Sequence, residues 1–225
     1  ADADRMELGK ALLENEGGII GFCDDFDLRP GSTELDIDLK ENPSARKGTH
    51  LLMGVLRANR SLTTATLRSL STDHVQMLAQ SMRNNPTIET LQLDHTLQTT
   101  TAGKKAVNVR LPVQQVTGRV PTETLDLSTS GELSRISCAA LGAMLAGNTA
   151  LKTLVLANTK LGDEAGSILE HLGDACKAGG CLQALDLSSV GLTDRGGRKL
   201  FEALMTGEFQ ALKTLKLAKN ELKDA

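Results

Sequence analysis

Leucines recur along this chain in a pattern that repeats about every thirty residues. Three C-terminal segments have the form L-x-x-L-x-L, and they begin at Leu151, Leu182 and Leu212. The second leucine position of this hexamer can be followed through the whole chain, where it is occupied by Leu35, Ala65, Leu91, Leu125, Leu154, Leu185 and Leu215. The six separations are 30, 26, 34, 29, 31 and 30 residues. Leucines that alternate with polar residues over so short a stretch predict one strand in each repeat.

The second half of each repeat has apolar residues at helical spacing, as in Val75, Leu78 and Met82. These stretches predict a helix after each strand. Asp73 and Thr193 or Asp194 stand where helix N-caps are expected. Gly54 and Gly142 fall inside predicted helices, and we expect them to allow neighbouring helices to approach closely.

On these motifs, residues 31–225 resemble the ribonuclease-inhibitor-like family of leucine-rich-repeat proteins. The resemblance implies an α/β solenoid shaped as a horseshoe, with a parallel sheet on the concave face and helices on the convex face. About seven repeats are expected, the last of them incomplete. The chain departs from the family where an Asn or Cys usually follows the strand, because that position holds Thr96, Ser130, Thr159, Val190 and Asn220. Val190 cannot hydrogen-bond through its side chain, so we expect other groups or water to satisfy that turn.

The sequence also predicts how the first and the last repeat are covered. Residues 1–30 are predicted to form a capping helix, over 4–15, and a loop that cover the first repeat, although a partner-binding helix is the alternative. At the other end the last repeat ceases partway, at Ala225. We expect the apolar edge of Leu212, Leu215 and Leu217 to be covered there by further repeats or by another subunit.

The unit at 97–121 is irregular. Val107, Val109, Leu111 and Val113 alternate with polar residues where a helix is expected, which predicts a strand, and Pro112 favours an edge position. This stretch is also the most basic part of the chain, with Lys104, Lys105, Arg110 and Arg119. It is interpreted either as a docking element or as a degenerate repeat with a long loop.

Composition narrows the classes of function. Leu accounts for 38 of 225 residues while Trp and Tyr are absent, which favours a thin, repetitive core. The formal net charge of -3, with mixed signs, argues against a nucleic-acid-binding protein. No stretch is apolar enough to predict a transmembrane helix, and we expect an intracellular protein, cytoplasmic or organellar. Cys176 and Cys181 could form a disulfide in an oxidising compartment, but four reduced thiols are expected.

The sequence contains few patterns that are typical of catalytic, metal-binding or phosphate-binding sites. Asp94 and His95 could act as a general base with its orienting carboxylate, but no nucleophile or metal accompanies them. The acidic run 24–27 lacks the glycine-bearing loop of a calcium site, and Gly196-Gly197 lacks a phosphate-loop lysine. We therefore expect no enzyme activity, no cofactor and no metal.

Strand alternation sends the leucines inward and their neighbours onto the concave face. The candidate partner-binding residues there are Asp36, Asp38, Arg68, Gln92, Asp94, Asp126, Ser128, Asp186, Ser188 and Lys216. Lys104, Lys105 and Arg110 of the irregular unit complete the set. None of these residues is aromatic, although aromatic residues often dominate binding energy.

These observations predict a protein–protein interaction scaffold, an adaptor or a peripheral subunit of a larger assembly, whose protein partner the sequence does not identify. The family resemblance also implies alternatives. These are a regulator of a small GTPase similar to Ran GTPase-activating proteins, an actin-binding module similar to that of tropomodulin, and an immune-type sensor.

Overall fold

The computed structural model describes residues 31–42, 49–96, 106–177, 182–206 and 209–223. Strands and helices alternate along these ranges, and most of the strands pair in parallel, so the chain is an α/β protein. The predicted N-terminal helix, Lys104, Lys105 and Cys181 lie outside the described residues.

The elements follow the predicted repeats. The strands are β1 (Glu34–Asp38), β2 (Thr64–Arg68), β3 (Thr90–Thr96), β4 (Ala106–Pro112), β5 (Thr124–Asp126), β6 (Thr153–Val155), β7 (Ala184–Asp186) and β8 (Thr214–Lys216). The helices are α1 (Thr49–Ala58), α2 (Val75–Asn84), α3 (Val113–Val116), α4 (Arg135–Leu145), α5 (Glu164–Lys177) and α6 (Asp194–Met205). A short 3-10 helix, Thr72–His74, precedes α2.

The strands form two four-stranded sheets, ordered β1-β2-β3-β4 and β5-β6-β7-β8. In the first sheet Leu35 is opposite Ala65, which is opposite Leu91. In the second sheet the register joins Leu125, Leu154, Leu185 and Leu215. The second leucine positions therefore align across each sheet as the repeat predicts. Burial alternates along the strands because only the leucine positions face the core.

The irregular unit breaks the single parallel sheet that the sequence predicted. The chain forms the expected strand β4, but β4 turns back and pairs antiparallel with β3, from Thr90 opposite Pro112 to Thr96 opposite Ala106. The first sheet is therefore mixed. Val109 and Leu111 are buried, whereas Val113 starts the four-residue helix α3 instead of continuing the strand. Pro112 lies at the last position of the outermost strand of that sheet, as a residue without an N–H requires.

The helix layer continues past this irregular unit. Helix α2 packs directly against α4, and α4, α5 and α6 pack in series. Arginine side chains bond to carbonyl oxygens at the ends of α2 and α4. Arg83 donates from Nη1 to the Ala143 and Ala146 carbonyl oxygens at 2.8 and 3.3 Å, and Arg119 donates to the Arg83 carbonyl oxygen at 2.6 Å. The bond from Arg119 satisfies a carbonyl group in the last turn of α2, and the bonds from Arg83 satisfy carbonyl groups at the end of α4.

Helix starts agree only in part with the sequence. Thr193 is an N-cap as predicted, since its hydroxyl accepts from the Arg195 N–H. The assignment of Asp73 was wrong, because Asp73 lies inside the 3-10 helix and α2 starts without a side-chain cap. The expectation for Gly54 was also wrong, since a Cβ there would meet nothing within 4 Å.

Candidate functional site

The strand registers place the predicted candidate residues in rows on the outer face of the two sheets. Asp36 is opposite Thr66, which is opposite Gln92, and Asp38 is opposite Arg68, which is opposite Asp94. In the second sheet Asp126, Val155, Asp186 and Lys216 form one row. Ser128 and Ser188 stand two residues after the ends of β5 and β7. The candidates of each sheet thus lie on the same or on nearby strands, one or two strand spacings apart.

The antiparallel strand β4 brings the irregular unit to the same face. Arg110 is opposite Gln92 and is exposed, while its neighbours Val109 and Leu111 are buried. Its backbone N–H donates to the Ser130 carbonyl oxygen at 2.8 Å, next to an isolated bridge between Val109 and Gly131. Arg110 therefore extends the row of the outer face. The sequence pattern alone assigns Arg110 to a separate, irregular unit.

Charges on the outer face pair with each other across repeats. Arg68 forms an ion pair with Asp36, and Lys216 lies 3.5 Å from Asp186. Lys152 and Lys160 pair in the same way with Glu123 and Glu132 of the preceding repeat. In all four pairs the cation lies one repeat after the acid. Ion pairs near the surface contribute little stability, but the pairs of Arg68 and Lys216 reduce the net field that the outer face offers to a charged partner.

Three of the candidate aspartates also close turns where the chain leaves a strand. Asp126 and Asp186 accept the N–H of Ser128 and Ser188 at 2.9 and 3.0 Å, and Asp38 accepts the Lys40 N–H at 2.8 Å. The hydroxyl and N–H of Ser128 lower the pKa of Asp126. Partial burial raises the pKa of Asp186, but hydrogen bonds from Ser188 and the charge of Lys216 outweigh it, and the pKa is lowered. These carboxylates therefore stabilise the turns that follow the strands.

Asparagines that are not among the predicted site residues connect consecutive repeats. Asn85 donates from Nδ2 to the Leu56 and Asn59 carbonyl oxygens at 2.6 and 2.8 Å, and its Oδ1 accepts the Ile88 N–H at 2.8 Å. Asn148 makes equivalent bonds to the Gln115 and Val116 carbonyl oxygens. Asn59, Asn85 and Asn148 each stand six residues before the second leucine position, a regularity that would have revealed them.

Asp163 couples α5 to α6 in a similar way. Its Oδ1 accepts from the Thr193 N–H, the Thr193 hydroxyl and the Gly196 N–H at 3.0, 2.8 and 3.1 Å. Burial raises the pKa of Asp163, but these bonds and the charge of Arg195 outweigh it, and the pKa is lowered. The carboxylate thus caps a helix that belongs to the next repeat.

The last repeat carries a cluster of exposed apolar side chains. Phe201 is 52% exposed and Met205 is 86% exposed, and they stand four residues apart on α6, so they share one face. Leu222, at 37% exposure, follows the last strand. When Asp163 is aligned with Asp194, the positions of Phe201 and Met205 hold Glu170 and Asp174 in the preceding repeat. That replacement of acids by large apolar residues was the overlooked sequence signal.

Groups able to support catalysis are sparse in the part of the chain that the structure describes. Ser71 Oγ lies 2.6 Å from His74 Nδ1, within a single turn before α2. Burial raises the pKa of the Cys138 thiol far above its ordinary range. Among the described residues no group of three or more His, Cys, Asp or Glu side chains could hold a metal ion. None of the described helices combines the length and the hydropathy needed to cross a membrane.

Comparison with known proteins adds no assignment to this picture. No protein-family model matches the chain, and no curated protein is significantly similar to it.

Proposed function

We propose that this chain is a leucine-rich-repeat solenoid of the ribonuclease-inhibitor-like type and that it serves as a protein–protein interaction scaffold. The observation that carries the proposal is the strand register. Of the six strand pairings among the described residues, five are parallel, and each sets one repeat's second leucine position opposite that of the next. Stacked units that share their leucines in this manner are typical of repeat proteins, whose extended surfaces bind other proteins.

Polar bonds between repeats support a scaffold that keeps its shape. Asn85, Asn148, Asp163 and Asn220 each bond to backbone groups of a neighbouring repeat. Such bonds fix one repeat relative to the next. They satisfy polar groups between the repeats while the leucines of both repeats stay buried in the core. A rigid surface loses little conformational entropy when a partner binds.

The exposed apolar side chains of α6 and the following segment supply the strongest candidate for the binding surface. Phe201, Met205 and Leu222 are three of the four large hydrophobic residues that are exposed in the described part of the chain. Clustered apolar exposure marks interaction sites more reliably than isolated exposed residues do. On the outer face of the sheets, by contrast, charges pair with each other and aspartates close turns.

The test compares partners of the unchanged chain with those of a Phe201→Glu, Met205→Glu double variant. Val120→Glu is the matched control, because Val120 is the fourth exposed large hydrophobic residue and lies in a different repeat, at 49% exposure. We expect quantitative affinity purification to recover a specific partner set with the unchanged chain and the control, and to lose it with the double variant. Equal recovery with all three chains would contradict the assignment of this surface.

A further inference from the structure

Arginine side chains bond to the C-terminal ends of three helices that pack side by side. Arg60 donates from Nη1 to the Arg57 carbonyl oxygen, in the last turn of α1, at 2.9 Å. Arg119 donates to the Arg83 carbonyl oxygen in the last turn of α2, and Arg83 donates to the Ala143 carbonyl oxygen near the end of α4. Each of these helix ends, where carbonyl groups lack a partner within the helix, therefore holds one guanidinium group.

The three helix ends lie on the same side of the helix layer. The Asn59 carbonyl oxygen, just after α1, accepts from Arg60 at 3.2 Å and from Asn85 Nδ2, just after α2, at 2.8 Å. Arg83 stands in the last turn of α2 and reaches the end of α4. Neighbouring helices pack about 8–10 Å apart, so these guanidinium groups follow one another at about that spacing. We refer to Arg57, Arg60, Arg83 and Arg119 as the arginine row.

The charge of the arginine row is not neutralised by acids. Arg57, Arg60 and Arg119 are exposed and Arg83 is partly exposed. Among the described residues, none of the four forms an ion pair with a carboxylate, whereas cations of the outer face do. Each helix end contributes about half a negative charge, and the exposed Glu89, just before β3, adds one more. Four guanidinium charges outweigh this sum, so the surface is positive.

The bonds to carbonyl oxygens also hold the guanidinium groups in place. A guanidinium has several N–H donors on three nitrogens, and in the described part of the chain Arg60 and Arg119 each use one nitrogen. The other donors of these exposed side chains are available to a ligand. A side chain that is already ordered loses little conformational entropy when it binds, and the planar guanidinium matches a carboxylate with two parallel bonds.

We propose that the arginine row binds an extended, acidic segment of a partner protein that carries a carboxylate at about every third residue. An extended chain rises about 3.3 Å per residue, so three residues span about 10 Å, which is the spacing of neighbouring helices. This inference rests on the proposed scaffold function and adds a second binding surface, which differs in chemistry from the apolar surface on α6. A nucleic acid is the poorer occupant, because the formal net charge of the chain is -3.

Two nine-residue peptides of the same composition and with blocked ends test the spacing on the unchanged chain. The spaced peptide is Glu-Gly-Ser repeated three times, and the clustered peptide is Glu-Glu-Glu followed by three Gly-Ser pairs. Affinity is measured by fluorescence anisotropy, and the Nε–H signals of Arg60 and Arg119 are followed by NMR. We expect the spaced peptide to shift both signals and to bind about fivefold more tightly at low salt, with most of the affinity lost at about 0.5 M salt.

Neutralising substitutions supply the second arm. An Arg57→Gln, Arg60→Gln variant is expected to bind the spaced peptide about fivefold more weakly than the unchanged chain. Arg198→Gln, Lys199→Gln is the matched control, because it removes the same charge from exposed positions of α6 and should leave the affinity unchanged. Arg57→Gln alone keeps the bonds of the Arg60 guanidinium to the end of α1 and should weaken binding about twofold.

Three results would overturn the proposal. They are equal binding of the two peptides, equal weakening by the α6 control, and tighter binding of a thymidine tetranucleotide, which carries the same charge as the spaced peptide. If the partner set still depends on Phe201 and Met205 while the spaced peptide binds no better than the clustered one, the scaffold function stands and the role of the arginine row falls.

Discussion

The side chain of Asn220 closes a turn that belongs to the preceding repeat, at Val190. Asn220 Oδ1 accepts the N–H groups of Val190, Gly191 and Leu192, each at 3.1 Å. Its Nδ2 donates to the Leu187 and Leu217 carbonyl oxygens at 2.8 and 3.0 Å. Val190 itself is buried, so an amide one repeat away supplies the bonds that its own side chain cannot make.

Replacement of this amide is therefore expected to loosen the last two repeats. We expect Asn220→Ala to lower the free energy of unfolding by about 1–3 kcal/mol, because several backbone groups lose their partner together. Exchange of the Val190, Gly191 and Leu192 amides should accelerate. Asn84→Ala is the control, since Asn84 is an asparagine whose side chain donates within its own helix, to the Gln80 carbonyl oxygen. Unchanged exchange at 190–192 in Asn220→Ala would contradict the role given to Asn220.

Two glycines should respond in opposite directions to the same substitution. A Cβ at Gly196 would lie 2.5 Å from Asp163 Oδ1 and 2.6 Å from Leu192 Cδ1, whereas a Cβ at Gly54 would meet nothing within 4 Å. Both glycines are in helices, where Ala is favoured over Gly by roughly 0.5–1 kcal/mol. We expect Gly54→Ala to stabilise the protein by about that amount and Gly196→Ala to destabilise it by roughly 1–3 kcal/mol in urea unfolding. Stabilisation by both variants would show that the α5–α6 junction is looser than described.

Acid should weaken the junction between α5 and α6 through Asp163. The unfolded carboxyl titrates near its ordinary value of 3.8, and hydrogen bonds with Thr193 and Gly196 lower the pKa in the folded protein. The folded state thus binds the proton less readily than the unfolded state does. The stabilisation is fully present above pH 3.8 and is lost as the pH falls through the lowered folded pKa.

Asp163→Asn removes this titration while keeping the shape of the side chain. We expect the variant to be less stable than the unchanged chain near neutral pH, and the difference between the two urea midpoints to shrink on acidification. Asp73→Asn, in the exposed 3-10 turn, is the control for the loss of one exposed carboxylate. A difference between Asp163→Asn and the unchanged chain that stays constant down to about pH 2 would argue against an ionised cap.

The contact between α2 and α4 should depend on the Arg83 guanidinium. Arg83→Met keeps much of the apolar stem but leaves the Ala143 and Ala146 carbonyl oxygens without their donor. We expect a loss of about 1–2 kcal/mol in the free energy of unfolding. Arg57→Met, at an exposed position in the last turn of α1, should change stability far less. Equal effects of the two substitutions would remove Arg83 from the account of this junction.

The sequence predicts the strands well because each strand is defined by leucines a few residues apart, a local pattern that can be recognised without knowing which strands pair. The alternation of Val107, Val109 and Leu111 predicted β4 for the same reason. It could not predict that β4 pairs antiparallel with β3, since the pattern of buried positions is the same for either direction.

The candidate site was harder to predict because its character depends on neighbours one repeat away. Asp126 and Asp186 were identified as outward-facing, but their bonds to Ser128 and Ser188 depend on the turn geometry. Phe201 and Met205 are exposed although they are apolar residues of a helix. The helical spacing of apolar residues predicts the helix but not which of those residues a neighbouring element covers.

The central claim is that consecutive repeats stack with parallel strands in register. Nuclear Overhauser contacts in the deuterated protein test it most directly, because strand neighbours in a sheet are about 4.8 Å apart. We predict contacts that link the amide protons around Leu154 to those around Leu185, and those around Leu185 to those around Leu215, at matching positions. Contacts that run in opposite directions along these strands, or that are displaced by a residue or more, would contradict the account.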